Sequence, residues 1–341
     1  MKSATISAPD RAAAPWGRHW KAVLADSFRN PHELLKYCEL DPSKVQLAPA
    51  QDFAFRVTRF FASLIEKGNA QDPLLLQVLP GTEELQRVEG YALDAVGDIP
   101  SMQVPGLVHK YAGRVLLTLT GACAIHCRYC FRRHFPYAEA RVEFDQGGRI
   151  MKYLAEHDDL REVILSGGDP LMVSDGKLAD LVASLNRISH IKTLRIHSRL
   201  LSVLPERVTP DLVEVLQGFE GQVVMVTHIN HPNEISERNQ AAFQLLSKTG
   251  YRLFNQSVLL KGVNDSASTL VELSNRLFES HITPYYLHRL DKVQGAAHFD
   301  LSGRECARIY AQLRSRLPGY LLPAIVQDIP GQPAKTPFIG E

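Results

Sequence analysis

A chain of 341 residues, 45% of them hydrophobic, has enough apolar side chain to bury a large core, which excludes a disordered or fibrous protein. Its 38 basic and 37 acidic residues leave a formal charge of +1, so nucleic acid and anionic membranes are not expected as main partners, and a small molecule is. The segment Met1–Asp10 lacks the apolar stretch of a secretory signal, and no apolar run is long enough to span a bilayer, which points to the cytoplasm.

Residues 1–15, rich in Ala, Ser and Pro, read as a loose arm with no assigned role. From Trp16 to about Leu85 the apolar spacing is helical: Trp20, Val23 and Leu24 share a face, Leu34, Leu35 and Cys38 follow Pro31, and Phe55, Phe60, Phe61 and Leu64 mark a further stretch. An aromatic stripe of this kind is expected to cover a core. Residues 86–110, with Pro100, Pro105 and Gly106, read as an irregular connection.

From Arg114 the pattern changes to short apolar runs separated by helical stretches. Val115–Leu119, Val163–Leu165, Thr193–Ile196, Val223–Val226, Leu253–Val258 and Tyr285–Leu287 are predicted strands. After the first interval their starts recur at about thirty residues, the length of a βα unit, so an α/β protein with a parallel sheet is expected, either doubly wound or a barrel. A helix is predicted over Arg304–Leu313 and a further, closing strand within Tyr320–Asp328. The expected division is an N-terminal helical region with its connection (1–110), a βα barrel (111–318) and a C-terminal strand and lysine segment (319–341).

Polar residues gather where these strands end, the catalytic face of a βα barrel. The first such loop holds Cys123, Cys127 and Cys130 in a C-x3-C-x2-C spacing, suited to thiolates round one metal centre. Clusters of iron and sulfur normally take four cysteines, and three would leave one iron open to a substrate group. A zinc site completed by His126 or His134, or plain buried thiols, fits the same spacing. Cys38 and Cys306 stand apart and read as reduced, structural thiols. The later loops carry Ser166-Gly-Gly-Asp-Pro170, His197-Ser-Arg199, Thr227-His-Ile-Asn-His-Pro232, Asn255-Gln256 and His288-Arg-Leu-Asp291.

The cysteine stretch resembles the radical S-adenosylmethionine (SAM) superfamily, and the run Cys127-Arg-Tyr-Cys-Phe-Arg-Arg-His-Phe-Pro136 resembles lysine 2,3-aminomutases. The resemblance extends from about Val104 to Lys335 and implies a partial (βα)6 barrel like that of triosephosphate isomerase. It implies a [4Fe-4S] cluster on Cys123, Cys127 and Cys130, with SAM held on the open iron and reduced by an external one-electron donor. Ser166, Gly167, Gly168 and Asp169 match the family's Gly-Gly-acid motif for the SAM amino group; Gln256 matches a SAM contact, and Tyr129 offers a face for adenine. Lys335, in Asp328-Ile-Pro-Gly-Gln-Pro-Ala-Lys-Thr-Pro337, matches the lysine that forms a Schiff base with pyridoxal 5′-phosphate (PLP). The family's loop there is richer in glycine. Lys110, Tyr111 and Arg114 align near the PLP phosphate. Arg132 matches the arginine that binds the substrate carboxylate, and Asp291 and Asp328 match the aspartates that hold the distal ammonium of L-lysine. The implied reaction moves the amino group from Cα to Cβ, an isomerase activity.

Within that family the closest resemblance is to short bacterial enzymes that make (R)-β-lysine for attachment to elongation factor P by its lysyl ligase. It is carried by Arg132-Arg133-His134-Phe-Pro-Tyr137 and Asp291-Lys-Val-Gln-Gly-Ala-Ala-His-Phe299. The chain stops six residues after Lys335, with no room for the extension of the longer catabolic enzymes. A catabolic or osmolyte-producing lysine aminomutase, and an enzyme for another amino acid such as glutamate, are the rival enzymes, and Asp291 with Asp328 argues against glutamate. A non-catalytic iron–sulfur or zinc protein is the rival from another class.

Overall fold

Proline and short capping side chains break the N-terminal third into brief helices. The computed structural model describes residues 19–49, 53–139 and 147–338; the arm expected over 1–15 and the helical start at Trp16 lie outside them. Helices α1 (Trp20–Ala25), α2 (Pro31–Tyr37), α3 (Arg59–Ser63) and α4 (Pro73–Leu76) are much shorter than one continuous helical pattern would give. The Asn30 side chain caps α2 by accepting from His32 N at 2.9 Å, and Asp72 caps α4 by accepting from Leu74 N and Leu75 N at 2.8 and 2.9 Å. Trp20, Leu34, Phe61, Leu74 and Leu75 enter the main core, so the aromatic residues pack as expected.

The stretch 86–110 is less irregular than its prolines suggest. Strands β1 (Met102–Val104) and β2 (Leu107–Tyr111) form an antiparallel hairpin whose turn uses Pro105 and Gly106, the latter at φ +85°. Pro-Gly is here a turn between two strands, and the buried side chains of Leu107 and Val108 hold the second strand in place. Strand β2 pairs antiparallel with β3 (Arg114–Thr120).

From β3 onward the chain alternates strands and helices: α5 (Gly147–Glu156), β4 (Glu162–Gly167), α6 (Asp175–Asn186), β5 (Thr193–Ser198), α7 (Leu200–Val203), α8 (Pro210–Gln217), β6 (Gln222–Thr227), α9 (Glu237–Ser247), β7 (Arg252–Val258), α10 (Ala267–Glu279), β8 (Thr283–His288), α11 (Gly303–Arg314) and β9 (Ala324–Gln327). All six predicted strands and the helix near Arg304 are present. Each strand from β3 to β9 pairs parallel with the next, and β10 (Thr336–Pro337) returns antiparallel to β9. The ten strands lie in chain order in one sheet, and among the described residues no pairing joins β1 to β10. Strand β9 therefore extends the parallel run as a seventh member and does not close it.

Side chains alternate across the sheet with period two. Val115, Leu117, Val163, Leu165, Leu194, Ile196 and Met225 belong to the core that also takes in helix residues such as Leu154, Leu181 and Leu212. The opposite parity brings Ser166, His197, His228, Gln256, His288 and Asp328 to the ends of successive strands. Among the described residues no helix is long and apolar enough to cross a membrane.

A buried ionic cluster fixes the N-terminal region to the cysteine loop. Arg128 Nε donates to Glu84 Oε1 at 2.7 Å, Arg128 Nη2 and Arg133 Nη2 (2.6 Å) both meet Glu84 Oε2, and Arg133 Nη1 donates to the Gly295 carbonyl at 2.8 Å. One carboxylate thus bridges two buried guanidiniums. Glu84→Gln leaves both cations without a counter-charge and is expected to lower stability by about 3–5 kcal/mol. A urea unfolding midpoint equal to that of the parent protein would contradict this.

Candidate active site at the strand ends

The cysteine loop leaves β3 and is held by backbone contacts with the N-terminal region. Arg56 Nη1 donates to the Cys123 carbonyl at 2.8 Å, His126 N donates to the Arg56 carbonyl at 3.0 Å, and Arg128 N donates to the Gln77 carbonyl at 2.9 Å. Cys123, Cys127 and Cys130 are half-buried, free thiols. Burial raises the Cys130 pKa to about 11 and that of Cys123 well above its ordinary value, and the neighbouring thiols add to both shifts. Thiols so placed stay protonated unless a metal takes their protons' place. His134 turns its Nε2 to the Gln294 carbonyl at 3.0 Å, and the His126 ring lies 5.6 Å from that of Phe53. Among the described residues no three His, Cys, Asp or Glu side chains converge on a point that a single ion would occupy. A four-iron cluster does not need that convergence, because its thiolates bind separate irons.

Two groups around these thiols carried no assigned role in the sequence. Arg199 Nη1 donates to Cys127 Sγ at 2.7 Å and to the Tyr129 hydroxyl at 2.5 Å, while its Nη2 reaches Gln77 Oε1 at 2.7 Å and Glu234 Oε2 at 3.2 Å. Asn230 Nδ2 also donates to the Tyr129 hydroxyl, at 2.6 Å. Tyr129 is thus clamped beside the cysteines, with its ring edge-on to Phe299. The ending His197-Ser-Arg199 marked a polar loop, and nothing in it pointed to Cys127.

The glycine pair is required by backbone packing. Gly167 has φ +123°, and a methyl group on it would lie 2.5 Å from the Thr120 carbonyl oxygen; one on Gly168 would lie 2.5 Å from that of Ala122. Gly168 N donates to Thr120 O at 2.6 Å and Asp169 N to Ala122 O at 2.9 Å, so the second loop lies directly on the first. The Gly167 carbonyl accepts from the Tyr137 hydroxyl at 2.7 Å. Asp169 accepts from Ser198 Oγ at 2.8 Å, from Arg199 N at 2.8 Å, and from Leu171 N and Leu200 N at 3.1 Å each. Both its oxygens are engaged within the protein, and the carboxylate ties the loops after β4 and β5 together.

The remaining residues form a chain of alternating charge. Lys335 Nζ donates to Asp328 Oδ2 at 3.1 Å. Asp328 Oδ1 accepts from the Tyr111 hydroxyl at 2.9 Å and lies 4.0 Å from Lys110 Nζ. Lys110 pairs at 2.8 Å with Asp98, a residue that sequence reasoning missed, and also donates to the Val96 carbonyl at 2.6 Å. Asp98 Oδ2 accepts from Arg132 Nε and Nη2, each at 2.7 Å, and Arg132 Nη1 donates to Ser166 Oγ at 2.9 Å. Arg114 stacks on the Tyr111 ring at 4.7 Å.

Asp291 faces this chain. Burial raises its pKa to about 7, against a lowering by Lys335 and a further rise from Asp328. Its Oδ1 is buried without a hydrogen-bond partner, as are His197 Nε2 and His288 Nε2. Gln256 Nε2 lies 2.9 Å from His228 Nε2 and 3.5 Å from His197 Nδ1. Burial, helped by nearby cations, holds His228 down at about 3 and His197 and His288 well below the ordinary histidine range, so all three rings are neutral. Unpartnered buried groups of this kind fit a polar ligand that would complete them. An amine, Lys335, and two carboxylates, Asp291 and Asp328, thus meet at this mouth, a chemistry that a carbonyl group and a cationic ligand would fit.

Residues 117–273 match the Radical SAM superfamily. Over 98% of its length the chain is 46% identical to the L-lysine 2,3-aminomutase of Escherichia coli (strain K12), covering 96% of that protein. It is 46% identical to the L-lysine 2,3-aminomutase of Haemophilus influenzae, across 94% of this chain and 95% of that one. It is 36% identical to that of Clostridium subterminale, across 97% of this chain and 80% of that one. The chain belongs to the radical SAM lysine 2,3-aminomutase family, isomerases whose cofactors are a [4Fe-4S] cluster, SAM and PLP.

Proposed function

We propose that this enzyme converts L-α-lysine to (R)-β-lysine and that the product supplies the modification of elongation factor P. The observation that carries the substrate assignment is the placing of two carboxylates, Asp291 and Asp328, beside Lys335. A distal ammonium is the ligand that such a pair accepts, whereas a glutamate side chain would meet repulsion. On this reading Cys123, Cys127 and Cys130 hold the cluster, and Lys335 holds PLP. When bound, SAM on the reduced cluster supplies hydrogen-atom abstraction, and PLP supplies the conjugated system across which an amino group migrates.

The protein's own part is to position and neutralise. Asp98 engages one edge of the Arg132 guanidinium and Ser166 one further N–H, which leaves donors of the same fork for a substrate carboxylate. Lys335 occupies Oδ2 of Asp328, so that oxygen becomes available to an outside ammonium only when the Lys335 amine is engaged elsewhere. Loading of Lys335 thus prepares the substrate site. The neutral histidines His197, His228 and His288 add hydrogen-bonding capacity without adding positive charge.

Support for the elongation factor P destination comes from the segments Arg132–Tyr137 and Asp291–Phe299, which carry the resemblance to the short enzymes of that kind. Anaerobic reconstitution with iron, sulfide, PLP, SAM and a reductant should convert L-lysine to β-lysine of R configuration. Recovery of unchanged L-lysine from protein that cleaves SAM would contradict the substrate assignment. Deleting the gene should remove the lysyl-type addition from elongation factor P in intact mass spectra; a factor that keeps it while cellular β-lysine disappears points to the catabolic or osmolyte role instead.

A proton-linkage measurement checks Asp291. Its folded pKa, about 7, lies above the ordinary 3.8, so its contribution to stability is full below the ordinary value and is lost as pH rises through about 7. A lysine ammonium placed beside it favours the carboxylate, so at pH 6 binding should release about one proton more in the parent than in Asp291→Asn. Calorimetry in buffers of different ionisation enthalpy reads this difference, and equal proton release in the two proteins would rule Asp291 out as the ammonium partner.

A further inference from the structure

His197 follows Ile196 in β5, and Ser166 follows the partner of Ile196, Leu165, in β4, so the two side chains stand beside each other on one face of the sheet. Ser166 Oγ accepts from Arg132 Nη1 at 2.9 Å. On its other side His197 pairs with Val226, and His228 lies two residues further on, with its ring centre 5.9 Å from that of His197.

Gln256 fixes where the imidazole protons sit. Its Nε2 lies 2.9 Å from His228 Nε2 and 3.5 Å from His197 Nδ1. An amide nitrogen only donates, so both ring nitrogens accept, and each neutral ring carries its single proton on the other nitrogen. For His197 that nitrogen is Nε2, which is buried without a partner. A buried N–H with no acceptor is costly until a ligand supplies one, so the missing group is an acceptor. Burial, and then the charges of Arg195, His228, Lys335 and Arg132, keep the ring neutral. Arg195 has its own carboxylate, Glu162, at 2.6 Å. The ring therefore lies within the fields of both Lys335 and Arg132, between the proposed sites of the amino end and the carboxylate end of an α-amino acid. A neutral donor there strengthens the hold on a carboxylate without adding a further positive charge to those already gathered.

We propose that His197 is a specificity-determining residue: its Nε2–H donates to the α-carboxylate of the substrate lysine, alongside the Arg132 guanidinium. The inference rests on the assignment of Lys335 and Arg132 made above. Two donors of different kinds, one charged and one neutral, then read the same carboxylate, so an amine of the same length that lacks it leaves both unpaired. SAM also carries a carboxylate; the position between Lys335 and Arg132 favours that of lysine, and the two ligands are separable by measurement.

The test is equilibrium binding to the reconstituted holoprotein without reductant, so that no turnover occurs. L-Lysine and cadaverine, which is lysine without its carboxyl group, are titrated against PLP absorbance, and SAM is measured by equilibrium dialysis. His197→Phe removes the donor and keeps a ring; His197→Asn keeps polarity but is too short to reach; His197→Gln restores an N–H. The Phe and Asn variants should bind L-lysine more weakly by on the order of tenfold or more, the effect of losing a hydrogen bond to a charged group. Binding of cadaverine and of SAM should match the parent, and His197→Gln should recover most of the affinity for L-lysine. A merely structural role would weaken L-lysine and cadaverine alike. Equal losses for the two, no loss for either, or a loss confined to SAM would overturn the assignment. A parent protein that binds L-lysine no more tightly than cadaverine would overturn the carboxylate role of Arg132, and this inference with it.

Discussion

One buried carboxylate, Asp98, carries the mouth of the barrel. It is 4% exposed and accepts from both Arg132 and Lys110. Burial alone would raise its pKa, but Arg132 and then Lys110 outweigh that and hold it below its ordinary value. Two cations that would otherwise repel are thereby kept side by side. Through Arg132 the carboxylate reaches Ser166 and the glycine loop, and through Lys110 it reaches Asp328 and Lys335. Arg132, Lys110 and Lys335 face Asp98, Asp328 and Asp291, so a zwitterionic ligand with one further ammonium meets both signs of charge where it needs them.

A second network does the same for the cysteine side. Arg199 joins Cys127, Tyr129, Gln77 and Glu234, and so links the turn after α4 to the ends of β5 and β6. If Cys127 holds the cluster as proposed, the guanidinium 2.7 Å from its sulfur would tune the cluster's potential, as hydrogen bonds to ligating sulfurs do. Asp169 then buckles the Arg199 backbone to the glycine loop. The two networks meet where β4 ends, with Ser166 in the strand serving one and Asp169 in the loop after it serving the other, which is why a chain broken into short helices and loops can hold these side chains in register.

The parallel strands were legible because each is a short apolar run that the sheet buries. The hairpin of β1 and β2 was not, since Pro105 and Gly106 are equally the marks of an irregular loop, and burial of Leu107 and Val108 is a tertiary fact. The cysteine spacing and the nearness of Lys335 to Asp328 were readable over short sequence separations. Asp98 and Arg199 were not: the first lies 34 residues before its partner Arg132 and the second 72 residues after Cys127. Such pairings are set by the order of strands in the sheet. Asp169 shows the converse, a residue expected on a cofactor whose two oxygens the fold itself engages.

The most direct measurement of this arrangement is a double-mutant cycle on L-lysine binding to the unreduced holoprotein, with Asp98→Asn, Arg132→Lys and their combination. If Asp98 acts by holding Arg132 in place, the combined loss should fall short of the sum of the single losses by more than about 1 kcal/mol. Losses that simply add would contradict the claim that this carboxylate sets Arg132, the arginine proposed to bind the substrate carboxylate.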